Sequence, residues 1–116
     1  MSLPIPGTPV RGSKTGKPIM ALLDLLGRTW ALGIIWQLRQ GALSFSELQA
    51  CCENISPTLL TNRLKELQQM KLIEKSVQGY QLTPIGLELF HVISPLGQWA
   101  KQWQLLFDEQ QNQKGI

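Results

Sequence analysis

The sequence predicts a mainly α-helical domain with one small β-hairpin, an α+β fold. Three observations lead to this prediction. Residues 45–69 contain two apolar-periodic helical segments separated by a tight turn. Residues 72–82 contain two short strand-like runs with a Gln-Gly turn between them. The last third of the chain then carries a long heptad-like apolar seam. This order is typical of a winged helix-turn-helix with a long C-terminal dimerisation helix.

The composition favours a single folded domain. The chain has 116 residues, of which 43% are hydrophobic, and a net charge of +3, so one core is expected rather than disorder. The charge is compatible with nucleic-acid binding but does not by itself establish it. No apolar run approaches the roughly 20 residues of a membrane span, and no signal pattern opens the chain. We therefore expect a cytoplasmic protein without a membrane partner.

The N-terminal segment 1–16 is predicted to be a flexible basic arm, because it is rich in Pro, Gly, Ser and Thr and has no periodicity. Arg11, Lys14 and Lys17 make it basic. It is either a solvated tail or an arm that contacts DNA phosphates. The folded domain is predicted over 17–112, followed by a tail at 113–116.

Two helices are expected before the helix-turn-helix. The first begins near Lys17 with Pro18 in its first turn. The second runs from about Thr29 to Gln40 and is apolar nearly all round, so it is predicted to be the central core helix. Its inward-facing residues are predicted to be Trp30, Ile34, Ile35 and Leu38.

Capping signals define the next two helices. Ser44 and Glu47 have the spacing of a capping box. Ser56 caps the fourth helix and Pro57 begins it. One face of this helix is apolar and the other is polar, the polar residues being Thr58, Thr61, Asn62, Lys65 and Gln69. Such a face is either an ordinary solvated surface or the base-reading surface of a helix in the major groove.

The last helix is expected to begin at Thr83-Pro84 and to reach about Asn112, with a kink or brief break at Pro95. Its seam residues alternate in steps of four and three, and are Ile85, Leu89, Val92, Leu96, Trp99, Trp103 and Leu106. A small domain cannot cover such a seam, so a two-fold homodimer is predicted. The alternative is that the seam covers only its own domain.

A family resemblance rests on fragments that occur in order along the chain. They are LLGRTW at 25–30, Gly41, FSEL at 45–48, ISP at 55–57, LLTNRLKEL at 59–67, LI at 72–73 and YQLTPIG at 80–86. From about residue 17 to residue 103 the chain resembles the HxlR-type, MarR-like family of winged helix-turn-helix transcriptional regulators. The resemblance implies a cytoplasmic homodimer that binds operator DNA, with a recognition helix at 56–69 in the major groove.

The resemblance also implies that the first and last helices form the dimer surface. We assign to it Ile19, Leu22, Leu89, Val92, Leu96, Trp99, Trp103 and Leu106. The candidate DNA contacts are Arg28, Ser44, Ser46, Ser56, Thr58, Thr61, Asn62, Arg63 and Lys65. Arg28 could meet a phosphate together with a helix N-terminus. Arg63 could either contact phosphate or pair with an acid such as Glu66 or Glu47.

Two departures from the family pattern matter. Members often have a cysteine before the proline that opens the first helix, and here Lys17 occupies that position, which removes thiol sensing there. The wing is short, at 77–80, and has no basic residue at its tip. This shortening supports an alternative function: a winged helix protein-interaction or dimerisation module that has lost strong DNA binding.

The remaining reactive residues indicate no catalysis. Cys51 and Cys52 are predicted to be reduced and to act as small hydrophobic residues, with a redox switch as the alternative. His91 has no Cys, His or Asp cluster around it, so no metal or cofactor is expected. No nucleophile, acid–base pair or phosphate-binding glycine loop is recognisable, so the protein is not predicted to be an enzyme. A small-molecule effector could bind between the last helix and the domain.

Overall fold

The computed structural model describes residues 3–10 and 13–114, with side chains described through residue 108. The elements are α1 (Pro18–Leu26), α2 (Ala31–Gln37), a 3₁₀ turn (Leu38–Gln40), α3 (Phe45–Cys51), α4 (Pro57–Gln69), β1 (Ile73–Ser76), β2 (Gly79–Leu82), α5 (Pro84–Ile93) and α6 (Pro95–Lys114). This order confirms the predicted α+β winged helix-turn-helix. Arg11 of the predicted arm and residues 115–116 of the predicted tail lie outside the described residues.

Helix α2 lies at the centre of the core, as predicted. Ile34 and Ile35 are fully buried, and they pack with apolar residues from α1, α3, α4 and β1 in one cluster. The helix is shorter than expected, because Trp30 has a left-handed backbone with φ of 68° and the last turn tightens to a 3₁₀ geometry. Just before α2 begins, the carbonyl oxygen of Thr29 accepts a hydrogen bond from Arg63 on α4.

Local caps form the helix-turn-helix as the sequence predicts. The hydroxyl of Ser44 accepts from the backbone N–H of Glu47 at 3.1 Å, and the Glu47 carboxylate accepts from the N–H of Ser44 at 3.0 Å. The hydroxyl of Ser56 accepts from the N–H of Leu59 at 3.1 Å. Between the helices, Glu53 and Asn54 both have a positive φ of 57°, which reverses the chain within a few residues.

The wing is an antiparallel pair in which Ile73 is opposite Leu82 and Ser76 is opposite Gly79. Leu43 adds one more rung, because its N–H and carbonyl bond to the carbonyl and N–H of Tyr80 at 2.9 and 2.8 Å. Gly79 has φ of 131°, and a Cβ there would lie 2.3 Å from the Leu43 carbonyl oxygen. Only glycine fits this close approach.

The strand bounds in the wing differ from the prediction in one respect. The turn was predicted at Gln78-Gly79, but it lies one residue earlier, at 77–78, where Val77 is fully exposed. The hydroxyl of Ser76 ends the strand by donating to the carbonyl of Gly79 at 3.1 Å. The wing is therefore as short as the sequence indicates.

The Thr-Pro-x-Gly segment at 83–86 packs the start of α5 against the residues that follow α4. The hydroxyl of Thr83 donates to the Lys71 carbonyl at 2.7 Å and accepts from the N–H of Gly86 at 3.1 Å. A Cβ on Gly86 would lie 2.0 Å from the Leu72 carbonyl oxygen. Close backbone packing at this junction thus requires both the hydroxyl and the glycine.

The C-terminal helix breaks at Pro95, as expected, and α6 extends away from the core. The radius of gyration is 16.7 Å, whereas a compact chain of this length would have about 13 Å. The principal extents of 53 × 38 × 26 Å show the same elongation. Most of the described side chains of α6, from Pro95 to Asp108, are accordingly exposed.

The described part of the N-terminal arm folds back on the domain. Pro4 is buried, the N–H of Thr8 bonds to the Ile5 carbonyl at 3.2 Å, and Val10 forms a bridge with Ser13. Pro4 and Pro6 lie beside α1, because they line one cavity together with Pro18, Ala21 and Leu22. The predicted division of the chain at residues 16 and 112 stays a prediction.

Candidate nucleic-acid interface

Helix α4 presents a polar face to solvent. Its apolar stripe of Leu60, Leu64 and Leu67 is buried. On the opposite side, the polar face is exposed except for Thr61, which is half-buried, and the exposed members are Thr58, Asn62, Lys65 and Gln69. Within the described residues Lys65 forms no ion pair. The helix therefore offers amide, hydroxyl and ammonium groups of the kinds that bind base edges and phosphates.

The serine candidates differ in what their hydroxyls already do. Those of Ser44 and Ser56 accept capping hydrogen bonds, while Ser46 is exposed at the start of α3. A capping oxygen has a second lone pair and a hydrogen to donate. All three serines lie at or beside helix N-termini, where backbone N–H groups favour an anion.

Arg28 does not have the predicted geometry of a phosphate contact. Its side chain is only 6% exposed and pairs with Asp24 at 3.4 Å and with Glu66. A sequence position beside a helix N-terminus does not reveal such an acidic partner 38 residues away. Arg28 is therefore a structural arginine that joins α1 to α4.

For Arg63, the structure favours the pairing alternative. Its Nη1 donates to Glu66 at 2.7 Å and its Nε donates to the Thr29 carbonyl at 2.7 Å. The side chain is 11% exposed. Among the described residues Arg63 forms no ion pair with Glu47, whose carboxylate accepts from the Ser44 N–H at the start of α3.

The titratable groups near the helix-turn-helix have distinct environments. The hydrogen bond from the Ser44 backbone, and then that from its hydroxyl, lower the pKa of Glu47. Burial raises the pKa of the Cys52 thiol, with smaller contributions from Cys51 and Glu53. Cys51 is exposed and Cys52 is buried, so the small-hydrophobe interpretation suits Cys52. Whether Cys51 is redox-active stays a hypothesis.

The predicted dimer seam is largely solvent-exposed in the single chain. Trp99 is 57% and Trp103 is 51% exposed. Their rings stack at 5.7 Å, and Trp103 meets Phe107 edge-on at 5.5 Å. Phe107 was not among the predicted seam residues, although its spacing of four residues from Trp103 predicts a shared helix face. Leu22 and Leu89 are half-buried, and the other assigned residues are exposed, namely Ile19, Val92, Leu96 and Leu106.

An apolar cavity of about 280 Å³ lies beneath the N-terminal arm. Ile85, at the start of the predicted last helix, lines it, whereas none of its described lining residues is a tryptophan. Residues of α1, the end of α4 and the start of α5 line it, including Ala21, Leu25, Met70 and Ile85. Pro4 of the arm covers one side.

The described residues also bear on metal binding and on membrane insertion. In the described ranges, no group of three or more His, Cys, Asp or Glu residues could hold a metal ion. Within those ranges, no single helix is long and apolar enough to cross a membrane. Only α1 together with α2 and its 3₁₀ turn reaches that length and composition, across an 83° bend.

Comparison with known proteins identifies the family. A model of the HxlR-like helix-turn-helix family matches residues 25–107. The chain belongs to this family. The matched residues include all of α2 to α5, and so both α4 and the wing. The chain is thus a DNA-binding transcriptional regulator, a class of protein distinct from enzymes.

Individual relatives agree with this assignment. The chain is 32% identical over 88 residues to the regulator YvaP of Bacillus subtilis, and the aligned region covers 70% of this chain and 82% of YvaP. The quinone-bound structure of YodB from B. subtilis is 36% identical with a TM-score of 0.66, over 72% of this chain and 96% of that one. A MarR-family regulator from Porphyromonas gingivalis, at 24% identity and a TM-score of 0.68, covers 79% of this chain and 97% of its own and shares the fold.

Proposed function

We propose that the protein binds an operator as a homodimer, with α4 of each protomer in the major groove. The observation that supports this most strongly is the exposed polar face of α4 opposite a buried leucine stripe. An inserted helix needs short hydrogen-bonding side chains outward and a firm apolar anchor inward. Helix α4 has both.

The exposed seam supports the dimer. Trp99, Trp103 and Phe107 form a continuous aromatic stripe on a helix that projects from the core. Soluble monomers rarely leave such a patch in water. A second copy would cover it through a two-fold contact, which the α1 residues Ile19 and Leu22 would extend.

The proposed DNA contacts are the polar side chains of α4 and of the two helix N-termini. Lys65 and Asn62 would reach the groove first, because they are exposed and point away from the leucine stripe. The full set is Ser44, Ser46, Ser56, Thr58, Thr61, Asn62 and Lys65. Arg28 and Arg63 are left out because their guanidinium groups pair within the protein.

Selection of bound duplexes from a random DNA pool, at moderate salt, tests this function. We expect enrichment of an inverted repeat whose half-sites lie about one helical turn apart. No enrichment by a folded dimer would contradict operator binding. That outcome would favour the protein-interaction alternative, which the short wing supports.

A small-molecule effector is proposed for the apolar cavity under the arm. Its walls are apolar apart from Lys71, and YodB was solved with a quinone bound. Because Lys17 replaces the family cysteine, binding here would be non-covalent. In a Cys51→Ser background, which removes the exposed thiol, the quinone menadione should raise Tm. Filling the cavity by Ala21→Met should abolish that rise, and an equal rise in both variants would contradict the site.

A further inference from the structure

We infer that Arg28, Glu66 and Arg63, together with Asp24, form a positioning cluster that sets the angle of α4 against α1. This inference rests on the proposed role of α4 in the groove. It adds that residues which do not contact DNA hold α4 in place, and that the DNA-contacting residues are correctly placed only when these residues do so.

The contacts run in one chain from α1 to α4. The Glu66 carboxylate accepts from Arg28 on one oxygen and from Arg63, at 2.7 Å, on the other. Arg28 also reaches Asp24 on α1 at 3.4 Å. Arg63 also donates to the Thr29 carbonyl at 2.7 Å. The Glu66 carboxylate on α4 is thus held by Arg28 of the α1–α2 turn and by Arg63 of its own helix, and Arg28 is in turn held by Asp24 of α1.

Burial and charge suit a positioning role rather than contact with a phosphate. The side chains are 6% exposed for Arg28, 11% for Asp24 and Arg63, and 15% for Glu66. Two guanidinium groups balance two carboxylates, so the cluster carries no net charge. Charged groups this little exposed need partners, because leaving one buried and unpaired is costly.

Directional hydrogen bonds can fix the rotation of α4 about its axis, which apolar contacts alone cannot do. The leucine stripe anchors the helix, but apolar burial is non-directional and tolerates small rotations. Glu66 and Arg63 flank Lys65 on α4, so a rotation that the cluster resists would move the DNA-facing side chains. Because α1 also carries Ile19 and Leu22, the cluster would link the dimer surface to the recognition helix.

Arg28→Lys tests the cluster without changing the net charge. Lysine keeps the cation but lacks the planar fork that bridges two carboxylates. We expect about tenfold weaker binding to the selected operator, comparable with the loss of one base contact. The slope of log affinity against log salt should not change, because no phosphate contact is lost. Binding to random-sequence DNA should also stay the same. Arg39→Lys, at an exposed arginine, is the matched control.

Glu66→Gln distinguishes electrostatics from positioning, because the two predict opposite changes in operator affinity. Removing a negative charge beside DNA strengthens binding if only electrostatics matters, whereas loss of positioning weakens operator binding. Glu88→Gln, at an exposed glutamate of α5, is the control. Tighter binding by Glu66→Gln would overturn the inference. So would unchanged binding by Arg28→Lys, or a salt slope lowered by about one unit, which would mark Arg28 as a phosphate contact.

The fold and the proposed function are tested separately in the same series. Thermal melts followed by circular dichroism show whether each variant is folded. If Arg28→Lys does not fold, Asp24→Asn replaces it as the test, because it breaks the longest contact of the cluster. Operator binding by Asp24→Asn equal to that of the wild type would then overturn the inference. Failure of the wild-type protein to bind any selected duplex contradicts operator binding itself. Failure of the variants to weaken operator binding contradicts only the positioning role.

Discussion

At the scale of single residues, the direction of a side chain decides the role of each cation. Arg63 and Lys65 are two positions apart on α4, so they point to nearly opposite sides of the helix. Arg63 pairs with Glu66, three residues further along α4. This pairing was one of the two roles predicted for Arg63 from its place near the leucine stripe. The pairing of Arg28 with Glu66 could not be foreseen, because only the folded chain brings them together.

Lys65→Ala should weaken operator binding and lower the salt slope by about one unit, because one phosphate contact is lost. The fold should remain intact, since Lys65 is exposed. Titration of a labelled operator over a salt series measures both quantities. Lys101→Ala, on α6, makes the same change at another exposed lysine. If the two variants bind alike, Lys65 is not a DNA contact.

The capping box should make stability depend on pH in a defined direction. The Ser44 hydrogen bonds hold the pKa of Glu47 below its usual range. A depressed folded-state pKa contributes stability above the unfolded pKa of about 4.3, and that contribution disappears as pH falls through the folded value. The Tm advantage of the wild type over Glu47→Gln should therefore be largest near neutral pH and shrink in acid. A difference that stays constant with pH would contradict this role.

At the scale of elements, the helix starts that depend on a capping residue were predicted correctly from the sequence. The start of α2, where no capping residue acts, was not. Ser44, Ser56 and Thr83 each cap the helix predicted from them, because a cap needs only its own first turn. Pro95 breaks the C-terminal helix for an equally local reason. Helix α2 begins at Ala31 rather than at the expected Thr29, where Trp30 has a left-handed backbone and the Thr29 carbonyl accepts from Arg63 on α4.

The exposed aromatic stripe of α6 leads to a prediction about assembly. Trp103→Ala removes the ring between Trp99 and Phe107. Loss of such an anchor should cost the dimer about 2 kcal/mol, or roughly 30-fold in its dissociation constant. Sedimentation velocity over a concentration series measures the shift. Val77→Ala, at the exposed turn of the wing, should leave the dimer unchanged. An equally stable Trp103→Ala dimer would contradict the assigned surface.

At the scale of the whole molecule, the elongated shape separates two surfaces. The helix-turn-helix packs around α2, while α6 extends the chain to 53 Å along its longest axis. Helix α1 belongs to both parts, since it lines the core through Leu25 and carries exposed Ile19. This arrangement would let a change at the dimer surface reach α4 through the Arg28 and Glu66 pair.

The sequence by itself determined the order of elements, the caps, the buried leucine stripe, the short wing and the break at Pro95. All of these depend on residues within a few positions of one another, where periodicity and capping chemistry act. Only the tertiary structure decided the role of Arg28, the start of α2 and the position of the cavity. Each depends on groups from separate elements meeting in space, such as Arg28 with Glu66 or Ala21 with Met70. A local pattern carries no information about which distant groups the folded chain brings into contact.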